Sequence, residues 1–83
     1  MIHSHLKKRD PQRNQARFYH MAVLPNLFGE WTLSKEWGRI GSSGRVRLEW
    51  YRTRAEAEGE LIKLETAKRR RGYSLEPQQM WLF

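Results

Sequence analysis

The sequence contains no cysteine, which excludes disulfide frameworks and thiolate-held zinc or iron–sulfur centres. A chain of 83 residues without such staples must rely on one small hydrophobic core, because a domain this short buries only about 60% of the surface its unfolded chain exposes. Long apolar runs are missing too. The longest are Met21-Ala22-Val23-Leu24 and Met80-Trp81-Leu82-Phe83, far below the ~20 residues needed to cross a bilayer. A soluble protein with no membrane partner is expected. Lys7, Lys8 and Arg9 place charge at the amino end before any apolar stretch forms, which argues against a secretory signal and for a cytoplasmic location.

Acid–base chemistry is poorly supplied. Of three histidines, His3 and His5 fall in a polar segment, where a His-x-His pair lacks a third metal ligand. His20 falls on a strand and reads as a packed or surface histidine. The carboxylates Glu56, Glu58, Glu60 and Glu65 have the spacing of a helix surface, and no nucleophile–base pair stands out. A non-enzyme without metal or cofactor is expected.

What the chain does have is positive charge. Sixteen Lys and Arg against nine Asp and Glu give a formal net charge of +7, suited to a polyanion. The excess is distributed: residues 1–17 carry five basic and one acidic residue, 35–54 six and two, and 68–71 four and none. The acidic counterweight gathers at the start of a helix.

Composition divides the chain into a flexible basic arm (1–15), a patterned domain (16–76) and an apolar tail (77–83). The arm holds Pro11, Asn14 and two Gln among its basic residues and is too polar to order itself by burial. From Phe18, alternation puts Tyr19, Met21 and Val23 on one face of a strand and Phe18, His20, Ala22 and Leu24 on the other. Pro25-Asn26 ends it. Trp31, Leu33 and Trp37 alternate with Thr32, Ser34 and Glu36, a strand with one buried face that Lys35 interrupts. Gly41-Ser42-Ser43-Gly44 follows as a hairpin loop. Val46, Leu48 and Trp50 then alternate with Arg45, Arg47 and Glu49, so the outward face of this strand is expected to be basic, with Trp31 and Trp50 at core positions. A further strand has room only at Tyr73–Leu75 or in the closing residues.

Thr53 and Glu56 have capping-box spacing, which starts a helix near Arg54. Ala57, Leu61 and Leu64 form its buried stripe, Gly72 stops it, and Lys68, Arg69, Arg70 and Arg71 complement the dipole at its end. Gly59 inside it costs about 1 kcal/mol relative to Ala. The fold class is therefore α+β: a small antiparallel β-sheet with one α-helix packed across one face.

Four tryptophans are many for so small a core, and an indole left at the surface beside arginine can stack on a base or sugar. Trp37 ends a strand and is followed by Gly38 and Arg39. The residues leave two readings open there: an aromatic strand end that another molecule approaches, or a core tryptophan beside a glycine that bends the strand.

The run Glu36-Trp37-Gly38-Arg39-Ile40-Gly41 resembles the signature of the WGR domain. Phe18-Tyr19-x-Met21, Leu27-Phe28-Gly29-x-Trp31, Ala55-Glu56-Ala57 and Lys68-Arg69-Arg70-Arg71-Gly72-Tyr73 are similar to bacterial stand-alone members. The resemblance covers about residues 16–75. It implies a sheet with one helix and no catalytic residues. In poly(ADP-ribose) polymerases this module binds DNA, its tryptophan packing on a nucleotide at a 5′ end and its arginine relaying the contact to other domains. Carried over, Trp37 would stack, Gly38 would allow close approach and Arg39 would make a polar contact. No polymerase catalytic domain accompanies them, so ADP-ribosyl transfer is not expected. The expected function is a non-enzymatic nucleic-acid-binding module for DNA ends or breaks, with RNA as another possible ligand. Lys35, Arg45, Arg47 and Lys68–Arg71 would supply charge around Trp37, Gly38 and Arg39. The alternative is a protein-interaction or self-association module, anchored by Met80, Trp81, Leu82 and Phe83.

Overall fold

The computed structural model describes residues 2–76; the apolar tail 77–83, with its proposed anchor Met80–Phe83, lies outside the described residues. Five strands form one sheet in the order β4-β3-β2-β1-β5, and all four strand pairings are antiparallel. They are β1 (His3–Asp10), β2 (Gln15–Pro25), β3 (Trp31–Arg39), β4 (Arg45–Tyr51) and β5 (Ser74–Leu75), with the helix α1 (Arg54–Arg70) between β4 and β5.

The helix forms where the capping chemistry placed it. Thr53 Oγ1 accepts from the Glu56 N–H at 3.1 Å, and its hydroxyl donates to the Glu56 carboxylate at 3.1 Å. Ala57 and Leu61 are fully buried against the sheet and Leu64 packs beside them. At the other end, the Gly72 N–H donates to Arg69 O with Gly72 at φ +99, a backbone angle suited to glycine at a helix stop.

Opposite residues in a ladder share a face, so the register decides what the helix covers. The covered side holds Leu6, Tyr19, Met21, Val23 and Leu33, all buried, with Trp31, Trp37, Tyr51 and Tyr73 packed at their margins. The open side holds His3, His5, Lys7, Phe18, His20, Ala22, Thr32, Ser34, Glu36, Val46, Leu48 and Trp50.

Two expectations are corrected. Residues His3–Asp10 are not a flexible arm: they form an eight-residue strand in continuous register with β2, from His3 opposite Ala22 to Asp10 opposite Gln15. Leu6 is entirely buried there, between Tyr19 on β2 and Leu75 on β5. The strand needs few apolar residues of its own, because β2 pairs with it along its whole length, β5 adds pairing at Leu6 and Lys7, and one leucine reaches the core. Second, Val46, Leu48 and Trp50 are not core residues; they are 60%, 58% and 65% exposed. Trp37 lies opposite Arg45, so the hairpin register turns Arg45, Arg47, Glu49 and Tyr51 to the helix side and the apolar set to the open side. Alternation shows that a strand has two faces, but only register says which faces inward.

Candidate nucleic-acid interface

The helix covers only part of its side of the sheet. Beyond its last turn, β1, β2 and β3 bring Lys8, Arg17 and Arg39 into one register row. The adjacent row is Leu6, Tyr19, Trp37 and Arg45. These rows and the end of α1 enclose a groove of about 460 Å³ lined by Arg17, Phe18, Tyr19, Trp37, Gly38, Arg39, Lys68 and Tyr73.

Aromatic rings line it in layers. The half-buried Trp37 indole lies nearly parallel to the Tyr19 ring, with centroids 5.9 Å apart and planes at 22°. Lys68 Nζ stands 4.5 Å from the Tyr19 centroid and 5.5 Å from that of Tyr73, within reach of cation–π attraction. Lys8 Nζ approaches Tyr73 from β1 at 6.0 Å. The charge is one-sided: burial, then Arg71 and Arg17, hold the Lys68 ammonium below its ordinary pKa. Among the described residues, none of Lys8, Arg17, Arg39, Arg45, Lys68 and Arg71 pairs with a carboxylate. A phosphate in the groove would relieve that repulsion.

Gly38 has a specific structural task. A Cβ there would lie 2.8 Å from Gly44 Cα and 3.4 Å from Phe18 Cε1, so the close approach it permits is that of its own hairpin loop. Gly44, at φ +74, in turn has Phe18 Cζ and Trp37 O at 2.7 Å from where its own Cβ would stand. The two glycines clamp the loop over Phe18 and fix the strand end that carries Trp37. Arg39 is likewise engaged: its guanidinium donates to Asn14 O at 3.1 Å and Asn14 Oδ1 at 3.2 Å. It thereby ties β3 to the β1–β2 turn, where Asn14 adopts φ +54.

The remaining residues expected at the site separate. Arg45 lies at the rim, opposite Trp37. Arg69 and Arg70 are exposed on the last helical turn but do not line the groove. Lys35 and Arg47 are drawn elsewhere: Lys35 Nζ sits 2.8 Å from Glu49 Oε1 and Arg47 Nε 3.7 Å from Glu49 Oε2, with the Lys35 side chain only 12% exposed. The bond from Lys35 holds the Glu49 carboxyl below its ordinary pKa. Sequence reasoning missed Arg17, Tyr19 and Tyr73 as groove residues and Lys8 beside them; the β2–β3 register brings Arg17 beside Arg39, and the β1–β2 register adds Lys8 to that row.

Among the described residues no group of three or more His, Cys, Asp or Glu is arranged to hold a metal ion, and no helix is long and apolar enough to cross a membrane.

A family model of the WGR domain matches residues 2–80, and the chain belongs to that family. A curated protein of Sinorhizobium fredii (strain NBRC 101917 / NGR234), named as the uncharacterized protein y4dW, is 38% identical over 73 residues. That alignment covers 88% of this chain and 36% of the relative, so the chain spans about a third of the length of the protein it matches. The family match begins at residue 2, which includes strand β1 within the domain.

Proposed function

We propose that this WGR-family chain binds nucleic acid, and DNA ends in particular, through the groove beyond the helix C-terminus, and that it does so without catalysing a reaction. The observation that carries the reading is the convergence of four aromatic rings with basic side chains from two strands and the helix, none of which pairs with a carboxylate among the described residues. Aromatic faces stack on bases or sugars whatever the sequence, and clustered cations follow the phosphates. A groove bounded by the Gly38–Gly44 clamp on one side and the helix end on the other suits a strand terminus better than a duplex passing through. The DNA-binding role of the module in poly(ADP-ribose) polymerases supports DNA over RNA.

In this reading Trp37 supplies the stacking surface, and Lys68, Arg17 and Arg45 neutralise phosphates. Arg39 holds the site together through Asn14. The test is fluorescence anisotropy with a short 5′-phosphorylated duplex, competed with closed circular DNA and repeated over a salt series. Binding that circles fail to displace is expected, and Trp37→Ala should weaken end binding by about 10- to 100-fold, the worth of one stacked base. Equal displacement by circles, or equal losses on ends and continuous duplex, would overturn end recognition.

A further inference from the structure

We propose that two copies of this chain associate through their β4 strands, antiparallel about a twofold axis at Leu48, to make one continuous sheet. The two edges of the sheet are unequal. β5 is an edge of only two residues, whereas β4 is a seven-residue edge, Arg45–Tyr51, in unbroken register with β3. It contains no proline and no bulge, the usual devices that stop an edge from pairing. Among the described residues no strand pairs with its outer side, so its outward N–H and C=O groups form a template for another strand.

The order of side chains along β4 is self-complementary. Antiparallel pairing centred on Leu48 sets Leu48 against the second copy's Leu48, and Val46 against its Trp50. On the other face, it sets Arg47 against the second copy's Glu49, and Arg45 against its Tyr51. Every rung therefore joins apolar to apolar, cation to anion or cation to aromatic ring, and each repeats by symmetry as an isologous interface requires. A register displaced by two residues loses this: centring on Arg47 sets Arg47 against its own copy and centring on Glu49 sets Glu49 against its own copy, and like charges directly opposite are unfavourable. The three exposed apolar residues of the strand, Val46, Leu48 and Trp50, would then form one stripe with their counterparts across the junction.

The junction lies on a different strand from the groove's Arg17 and Trp37, shares only the rim residue Arg45 with it, and leaves both helices on one side of the joined sheet. On the nucleic-acid reading above, a dimer presents two grooves on the same side, with their Trp37 residues about 25 Å apart by strand spacing and rise.

Cysteine cross-linking tests the register directly, because the chain has no thiol of its own. Leu48→Cys replaces an exposed side chain, and at the twofold it meets its own copy with Cβ atoms about 4.5–5.5 Å apart, within a small adjustment of disulfide geometry. Val46→Cys, on the same face, would stand about 13 Å from its counterpart. Under mild oxidation with copper–phenanthroline, Leu48→Cys should give a covalent dimer in high yield and Val46→Cys little. Equal yields, or more from Val46→Cys, would overturn the register. Sedimentation equilibrium of the unaltered chain checks the association itself: the mass should rise above 10.0 kDa with concentration, and Arg47→Glu, which sets like charges opposite each other, should return it to the monomer. A chain that remains monomeric up to about 1 mM would overturn the proposal, and neither readout involves nucleic acid, so a failure here leaves the groove reading untouched.

Discussion

Two basic clusters lie on the helix side of the same sheet, separated by the row of Leu6, Tyr19, Trp37 and Arg45, and they differ in what surrounds them. Lys35 and Arg47 share Glu49, which lies 2.8 Å from the Lys35 ammonium, and the helix leaves the Lys35 side chain 12% exposed. Lys8 and Arg17 beyond the helix end and Lys68 on its last turn have aromatic rings between them and no carboxylate partner among the described residues, and Arg39 beside them is held by Asn14. The first cluster is an internal ion network, and the second is left without an internal counter-charge. Local neutralisation, not the count of Lys and Arg, separates charge spent within the fold from charge left unneutralised.

The sharpest way to break this comparison is to remove one lysine from each cluster. Lys35→Met should lower stability by about 1–2 kcal/mol, because it leaves a partly buried carboxylate short of its best partner, while DNA affinity at fixed salt stays the same. Lys68→Met should do the reverse. Its charge is disfavoured first by burial and then by Arg71 and Arg17, and the cation–π contact it loses is worth only about 0.5–1 kcal/mol at such a site. Stability should therefore shift by less than that, while affinity falls. Chemical denaturation and anisotropy on the same two variants decide it: parallel behaviour would erase the distinction.

A smaller effect sharpens the groove. Arg17→Gln should reduce the slope of log affinity against log salt by about one, as expected when one phosphate contact is lost, and Arg47→Gln should leave the slope unchanged. Equal changes would mean that both clusters meet the nucleic acid.

The smallest effect lies in acid. Glu49 is held below its ordinary pKa of 4.5, first by the bond from Lys35, so the folded state binds its proton less readily than the unfolded state does. Its contribution to stability is present above that value and is lost as the pH falls through the lower folded one. Thermal melts should show this acid-side loss in the natural chain and less of it in Lys35→Met. The shift should stay below the ~4–8 °C that corresponds to 1 kcal/mol in a domain of this size.

Much of the fold was legible in advance. The helix from Arg54 to Arg70 follows from the Thr53 cap, the Ala57–Leu61–Leu64 stripe and the basic last turn, all local features. Strands β2 and β3 follow from alternation over Tyr19–Val23 and Trp31–Trp37, and the short β5 at Ser74–Leu75 occupies the segment left open for it. Strand β1 was not legible, because its one core residue, Leu6, carries no period and its order depends on partners remote in sequence. The facing of β4 was not legible either, since Val46, Leu48 and Trp50 look like a core face until the register with β3 turns them outward. Within the groove, Trp37 and Arg39 stood out by motif and Lys68 by charge, whereas Lys8, beside it, falls in the segment that composition reads as an arm.

By itself, then, the sequence determined the residue types, the helix and its caps, the alternation of the central strands, the excess of positive charge and the signature around Trp37. These depend on neighbours a few positions apart, where backbone preference and periodicity act. The tertiary structure alone decided which side of β4 faces the helix, that Gly38 makes room for Gly44, that Lys35 is spent on Glu49, and that Arg17 and Lys68 line one groove with Tyr19 while Lys8 approaches Tyr73. Those outcomes depend on strand register and on where the helix stops across the sheet, quantities set by the joint packing of segments far apart in the chain.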